Sequence, residues 1–495
     1  MSTLKKLASQ SAIYGLSSIV GRFLNYLLVP LHTNIFKQPG EYGVVTEMYA
    51  YISFLMIIYT YGMETSFFHF SEKSKEDKSK VFSTSMIALL FSTLLLSGGI
   101  ILFSGSIASV LDYEKHPEYI MWMALIIGFD TLTALPFARL RQQLKAKKFA
   151  FLKLTNIGIN IAFNIFFFIV LPVWYKGEDG VFRSFAHLIY NPKMGVGYVF
   201  IANLLASAIT LLLMIPELRF DKKEFDKKLL GQIVLYSLPL LIAGMAGMVN
   251  ETLDRIMIKF LVVDKSSAMN QVGIYGACYK LSILMTLFIQ AFRYAAEPFF
   301  FAQFQKEDAR KVYALVMKYF VITCAIIFLT IMMYIDIIKY FIGETYWPGL
   351  KVVPVLLLAN MSLGIFFNLS MWYKLSGETR YGAYFAIFGA FITIIFNLWL
   401  IPELGYMGAA WTTLICYTAM MIASYITGQN KYPVKYETKR ILIYVGFAIV
   451  LYLISKTIVQ FFDPRTFVVL IINTIILVGY LFTLSKYERP PVSLN

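Results

Sequence analysis

Long apolar segments recur from residue 7 to residue 484 of this 495-residue chain and leave only short charged loops between them. Each segment is close to, or longer than, the roughly 20 residues that an α-helix needs to cross a bilayer. Charged residues make up 15% of the chain, against about 25% in a typical soluble domain. The sequence therefore predicts an all-α polytopic membrane protein that leaves no room for a soluble catalytic domain.

We predict about fourteen transmembrane helices. Several exceed 25 residues, so we expect some of them to tilt or to extend beyond the hydrocarbon core. The predicted spans are residues 7–30, 42–70, 81–111, 119–140, 149–173, 197–215, 229–262, 272–300, 312–341, 352–373, 381–401, 408–427, 441–461 and 466–484.

The basic residues indicate an orientation. The even-numbered loops and the two terminal segments together hold 27 Lys and Arg residues, whereas the odd-numbered loops hold 7. Because basic loops remain in the cytoplasm, this asymmetry predicts that both termini are cytoplasmic. It also explains the net charge of +15 as membrane topology and attraction to lipid headgroups, without a nucleic-acid partner.

The second and eighth spans are similar to each other. Residues 51–70 and 279–301 align from Ser53 and Ser282 to Glu64 and Glu297, with an insertion of about one helical turn. The repeat predicts two six-helix lobes related as parallel repeats, followed by two more helices. We accordingly divide the chain into residues 1–218, 219–428 and 429–495.

No motif for soluble chemistry is recognisable. The three cysteines lie in apolar segments and give neither a disulfide framework nor a zinc pattern, and the phosphate-loop motif GxxxxGK[ST] is absent. We therefore predict no catalytic residue, no metal site and no cofactor.

Several ordered fragments carry a family resemblance. They are SSIVGRFLNYLLVPLHTNIF with EYGVV near the start, PFARLRQQLKAKKF at the fourth span, and YSLPLLIAG, LDRIMIKFLV and VGIYGACYKLS across the seventh and eighth. Together they resemble the multidrug/oligosaccharidyl-lipid/polysaccharide (MOP) exporter superfamily, in its polysaccharide biosynthesis branch of Wzx-type flippases for O-antigen and capsule units.

The resemblance implies a transporter of the bacterial inner membrane, not an enzyme. It implies alternating access that moves a polyprenyl-diphosphate-linked oligosaccharide to the outer leaflet. Because the chain lacks a phosphate-loop motif, coupling to H⁺ or Na⁺ is the remaining source of energy. We expect a monomer that works beside the polysaccharide polymerase machinery.

Charges inside the spans are costly and are therefore the candidate functional residues. Cations suit a diphosphate headgroup; the candidate substrate-binding residues are Arg22, Lys280, Arg293 and Arg255. We expect Arg22 and Lys280, from corresponding parts of the two halves, to face one central cavity. Pairing with nearby acids is the alternative role for Arg293, which lies four residues from Glu297, and for Arg255.

Buried carboxylates are the candidates for ion coupling, because desolvation can bring their proton affinity into a useful range. They are Glu64, Glu297, Asp254 and Asp130, and structural pairing is the alternative role for each.

Three other functions stay open. A lipid II flippase would fit fourteen spans, but that branch has adjacent arginines in span two, near the position where this chain has Met56 and Ile57. A cation-coupled multidrug exporter would favour a cavity dominated by acids. A membrane glycosyltransferase or polymerase would need a large catalytic outer loop, and the longest one here, residues 174–196, has only Glu178 and Asp179 as acids.

Overall fold

The computed structural model describes residues 3–73, 77–304, 306–462 and 466–488. The regular secondary structure of these residues is helical, without strands. The chain termini lie outside the described residues, so their cytoplasmic location stays a prediction.

Twenty-two α-helices follow one another within the described residues. They are α1 (Thr3–Tyr26), α2 (Leu28–Ile35), α3 (Pro39–Thr60), α4 (Met63–Lys73), α5 (Lys78–Leu102), α6 (Ser104–Val110), α7 (Pro117–Gln142), α8 (Ala146–Ile165), α9 (Leu171–Lys176), α10 (Val181–Ile189), α11 (Gly197–Leu213), α12 (Lys227–Leu261), α13 (Lys265–Leu281), α14 (Ile283–Gln303), α15 (Ala309–Met333), α16 (Ile335–Ile338), α17 (Val353–Leu369), α18 (Met371–Leu375), α19 (Arg380–Leu404), α20 (Tyr406–Lys431), α21 (Thr438–Phe462) and α22 (Thr466–Tyr487).

The predicted polytopic architecture is confirmed, and each predicted span coincides with a helix or a broken helix. Among the described residues, eleven helices or joined helices are long and apolar enough to cross a membrane. A twelfth span forms if α13 and α14, which meet at a 49° bend, are counted together. The helices α1 and α11 coincide with the first and sixth predicted spans. The total of fourteen stays a prediction.

Local sequence explains where several helices begin. Pro39 and Pro117 stand in the first turns of α3 and α7, where a missing backbone N–H leaves no hydrogen bond unmade. The Asp77 carboxylate accepts a hydrogen bond of 2.9 Å from the Ser79 N–H and caps α5. These signals lie next to the apolar runs, so the helix starts follow from sequence.

Contacts divide the chain into two compact units. The first unit comprises Met1–Phe260 and Asp264–Gly273, and the second comprises Leu261–Val263 and Ile274–Asn495. In the first unit α7 packs against α3, α5 and α11. In the second unit α17 and α19 pack against α20, while α15 packs against α14, α17, α21 and α22. The three sequence segments drawn above stay a prediction, and α12 lies in the first unit up to Phe260.

Two glycines bring backbones of the first unit into direct contact. A Cβ atom on Gly273 would lie 1.8 Å from the Pro39 carbonyl oxygen, and one on Gly43 would lie 2.3 Å from the Met269 carbonyl oxygen. The Gly40 N–H donates a 2.8 Å hydrogen bond to Asn270 Oδ1 at the same crossing. The first turn of α3 therefore packs directly on α13 at Met269, Asn270 and Gly273, and neither glycine has room for a side chain.

Candidate functional site

A cavity of about 670 Å³ opens within the first unit, and residues of α3, α4, α7, α8, α11 and α12 contribute to its wall. Apolar side chains make up part of the lining, together with the hydroxyl and amide groups of Thr60, Thr133, Asn156 and Thr210. Four charged side chains also line it: Glu64, Asp130, Arg141 and Lys153. The cavity thus combines apolar surface with a few polar groups, as ligand sites commonly do.

A break in the helix between α3 and α4 places Glu64 in the wall of this cavity. Tyr61 and Gly62 adopt left-handed backbone conformations, with φ of 30° and 74°. At Gly62 a Cβ atom would also lie 3.0 Å from the Leu240 Cβ, so both space and backbone favour glycine there. The chain restarts as α4 at Met63, which places Glu64 in the first helical turn, where the helix dipole favours a carboxylate.

Arg141, near the end of α7, forms an ion pair with Glu64. The pair is accessible from the cavity, with 33% of the arginine side chain and 44% of the glutamate side chain exposed. The guanidinium also lies over the rings of Phe68 and Phe149, at 5.3 and 5.9 Å from their centroids. Its Nε is buried and has no hydrogen-bond partner among the residues that the structure describes. Arg141 is therefore held in position by Glu64 and the two rings, while about a third of its side chain stays accessible.

Lys153 is the second cation of the cavity. Its Nζ lies 4.3 Å from the centroid of the Phe137 ring, and the side chain is accessible at the cavity surface. It interacts electrostatically with Asp130, Glu64 and Arg141. Two acids and two bases therefore share one cavity, and each cation has a carboxylate nearby.

The structure brings two predicted coupling acids, Glu64 and Asp130, to the same cavity. Sequence reasoning missed both of its cations. In the sequence, Arg141 stands just beyond the fourth predicted span, where a basic residue indicates topology, although it lies within α7. Lys153 lies within an apolar run, and the cost of a charge in such a run was the signal that could have identified it.

Two other predicted residues, Arg293 and Glu297, lie on α14 in the second unit. Glu297 forms its ion pair with Lys374 of α18 at 2.7 Å, whereas the Arg293 guanidinium stacks 4.0 Å from the centroid of the Phe367 ring. In place of the alternative pairing between Arg293 and Glu297, each side chain has a tertiary partner, because side chains from α17 and α18 reach this face of α14.

The adjacent residues Asp254 and Arg255 form an ion pair of 3.6 Å on α12, and both side chains are largely buried. The Arg255 guanidinium also donates a 2.6 Å hydrogen bond to the Glu251 carbonyl oxygen. These contacts favour the structural role. Arg22 has an exposed side chain on α1, and Lys280 is partly buried near the end of α13. Their joint role in substrate binding stays a prediction.

A second charged group in the first unit is buried, and we name it the Glu47 cluster: Glu47, Lys259, Tyr51 and Tyr113. The Glu47 side chain has 0% exposure, and its carboxylate lies 3.2 Å from the Lys259 Nζ. It accepts hydrogen bonds from the Tyr51 and Tyr113 hydroxyls at 2.9 and 2.5 Å. Lys259 also donates to the Leu111 carbonyl oxygen and lies 4.4 Å from the Tyr113 ring centroid. The cluster connects α3, α12 and the segment between α6 and α7.

A family model described as "Polysaccharide biosynthesis protein" matches residues 7–304. This chain belongs to that family. No curated protein matches the chain significantly.

Solved transporters share the fold. The lipid II flippase MurJ in an inward closed conformation is 16% identical, with a TM-score of 0.70, over 96% of this chain and 98% of that one. An inward-facing multidrug resistance MATE family transporter of the MOP superfamily is 14% identical, with a TM-score of 0.65, over 85% of this chain and 94% of its own. The predicted resemblance to the MOP superfamily is confirmed, and the chain is a multi-pass membrane protein of that fold.

Proposed function

We propose that this protein is a flippase that carries a polyprenyl-diphosphate-linked oligosaccharide from the inner to the outer leaflet, coupled to the movement of H⁺ or Na⁺. The observation that carries the proposal is the cavity that holds Arg141 and Lys153, each beside a carboxylate, in a chain of the polysaccharide biosynthesis family.

The cations supply recognition of the diphosphate. Arg141 offers a planar guanidinium on a partly accessible side chain, and Lys153 offers an ammonium at the same wall. This combination suits phosphate oxygens, because charged hydrogen bonds are the strong ones and arginine binds oxyanions in a fork. The hydroxyl and amide groups of the wall offer partners for sugar hydroxyls.

The acids supply a means of release and coupling. When a phosphate takes Arg141 or Lys153 as its partner, Glu64 or Asp130 loses a nearby cation. A proton or a sodium ion then restores the charge balance, because a carboxylate that has lost its cation is repelled by the bound phosphate. Return of the cation to its own carboxylate would expel the phosphate. This exchange gives Glu64 and Asp130 the coupling role predicted from the sequence.

The numbers of acidic and basic residues in the cavity distinguish the proposed flippase from an exporter of cationic drugs. An exporter of cationic drugs would be favoured by a cavity of acids alone, whereas this cavity has equal numbers of acids and bases. Lipid II shares the polyprenyl diphosphate chemistry, so a transport assay must distinguish it. We propose the bacterial inner membrane as the location, with the connection between α7 and α8 in the cytoplasm.

The experiment is transport in proteoliposomes that contain a fluorescent undecaprenyl-diphosphate-linked oligosaccharide. Wild type is compared with Arg141→Ala, Lys153→Met, Arg22→Ala and Lys280→Ala, and Lys147→Ala is the matched control because Lys147 is exposed on α8 outside the cavity. We expect the first two variants to lose transport and the control to keep it. Transport of lipid II alone, or of a cationic dye alone, would contradict the proposed substrate.

A further inference from the structure

A second cavity, of about 370 Å³, lies in the second unit and is lined almost entirely by apolar atoms. We name it the α20–α21 groove, because α20 and α21 supply its two sides. Its floor comes from α15 and α17 and includes the buried residues Met317, Val321 and Met361. The side walls include the exposed residues Ile422 of α20 and Leu442 of α21. The groove is thus open toward the surroundings while its floor is deep in the unit.

A void of this size needs an occupant. Protein interiors are close-packed, and atoms that line an empty apolar space lose their dispersion contacts. Water is a poor filler because the wall offers almost no polar partners. In a membrane protein, the apolar material at hand is a hydrocarbon chain.

The residues at the mouth of the groove indicate which headgroup the hydrocarbon chain carries. Tyr436 and Thr438 line the groove where α21 begins, and the first turn of a 25-residue helix attracts an anion. Lys435 and Lys439 flank this point with exposed side chains. Neither lysine forms an ion pair within the part of the chain that the structure describes.

The acid in the same segment is already neutralised. Glu437 lies 2.9 Å from the buried Lys318 Nζ and 2.9 Å from the Arg440 guanidinium. Lys318 also contacts Glu488 at 2.8 Å, beyond the end of α22. Burial raises the pKa of the Glu488 carboxyl, but its bonds from Lys318 and Tyr444 and the charge of Arg440 outweigh that effect and hold it below its ordinary value. The mouth therefore presents Lys435 and Lys439 as its available charges.

We propose that the α20–α21 groove binds one anionic phospholipid. Its acyl chain lies in the groove, and its phosphate lies at the first turn of α21 between Lys435 and Lys439. The site is separate from the charged cavity of the first unit, and the proposal does not depend on what the protein transports.

Native mass spectrometry of the purified full-length protein tests this with phosphatidylglycerol and phosphatidylcholine of identical acyl chains. We expect one phosphatidylglycerol to remain bound, with affinity about tenfold or more above that of phosphatidylcholine. Val445→Trp, which fills the groove, should abolish this adduct. Val450→Trp is the matched control, because Val450 is exposed on the same helix and does not line the groove.

The charge contribution is tested separately. The double variant Lys435→Gln/Lys439→Gln should bind phosphatidylglycerol about tenfold more weakly, whereas Lys456→Gln, exposed toward the other end of α21, should bind it as wild type does. Equal binding of the two lipids to wild type would overturn the proposal. So would an unchanged adduct in Val445→Trp. Preferential retention of a polyprenyl phosphate would assign the groove to that carrier instead.

Discussion

The first unit contains two groups of charges that differ in accessibility. In the cavity, Glu64 and Arg141 form an ion pair of which about a third or more of each side chain is exposed. In the Glu47 cluster, the carboxylate is fully buried and Lys259 is 7% exposed. Every carboxylate oxygen of Glu47 has a donor, and its donors come from α3, α12 and the segment before α7.

This difference in solvent accessibility determines what each group of charges can do. Accessible pairs contribute little to stability, because water screens them, and their members can exchange partners with a ligand. Buried pairs cannot lose one member without a large penalty. We therefore propose that the cavity binds and couples, whereas the Glu47 cluster holds helices together.

The largest effect should come from breaking the buried pair. Lys259→Met leaves the Glu47 carboxylate without a cation, and we expect a loss of about 3–5 kcal/mol in the free energy of unfolding. Chemical denaturation in detergent micelles measures it. The double variant Glu47→Gln/Lys259→Met should be more stable than Lys259→Met alone, because no uncompensated charge remains. A double variant destabilised by the sum of both single effects would contradict the cluster as one unit.

Removal of the cavity cations should affect transport without a comparable loss of stability. Arg141→Ala and Lys153→Met each remove a charged donor, worth about 1.5–3 kcal/mol in a hydrogen bond, so transport should fall about 10- to 100-fold. Flipping rates and melting temperatures measured on the same preparations check this. If either variant unfolds as readily as Lys259→Met, the contrast between the two groups is wrong.

The cavity acids should change coupling more than maximal rate. In Glu64→Gln and Asp130→Asn a neutral amide replaces the carboxylate, so the side chain can no longer take up a proton or a sodium ion. We expect transport driven by a lipid gradient to remain, and its response to an imposed pH or sodium gradient to fall. Glu72→Gln, on the exposed part of α4, is the matched control. An unchanged gradient response in both cavity variants would remove these acids from the coupling step.

The ion pair of Asp226 with Lys80, outside the spans, should have the smallest effect on stability. Asp226 precedes α12, and its hydrogen bonds from Lys80 and from the backbone N–H groups of Leu229 and Lys228 lower the pKa of its carboxyl to about 2. Because this pKa is lower in the folded protein, the carboxylate stabilises the folded state when the pH is above the ordinary carboxyl pKa of 3.8. That contribution disappears as the pH falls toward 2. Asp226→Asn should therefore lower the melting temperature slightly at pH 6 and not at pH 2. An equal decrease at both pH values would mean that the carboxylate charge is not responsible.

The fold was largely predictable from sequence, whereas only part of the candidate site was. Glu64 and Asp130 stood out because charges within apolar runs are costly. Arg141 did not, because a cation at a span end is also what membrane topology requires. Glu47 and Lys259 lie within predicted spans, near their ends, and were not among the predicted site residues. The cost of burying a charge within an apolar span could have identified them too.

By itself, the sequence determined that the chain forms a bundle of membrane-spanning helices, because backbone hydrogen bonds within the bilayer are satisfied locally and the apolar runs set the helix lengths. The tertiary structure decided which charges become partners. Glu297 pairs with Lys374, Glu64 with Arg141 and Glu47 with Lys259, across 77, 77 and 212 residues of the chain. Ion pairs depend on distances between helices, and hydrophobic patterning along one helix contains no information on that distance.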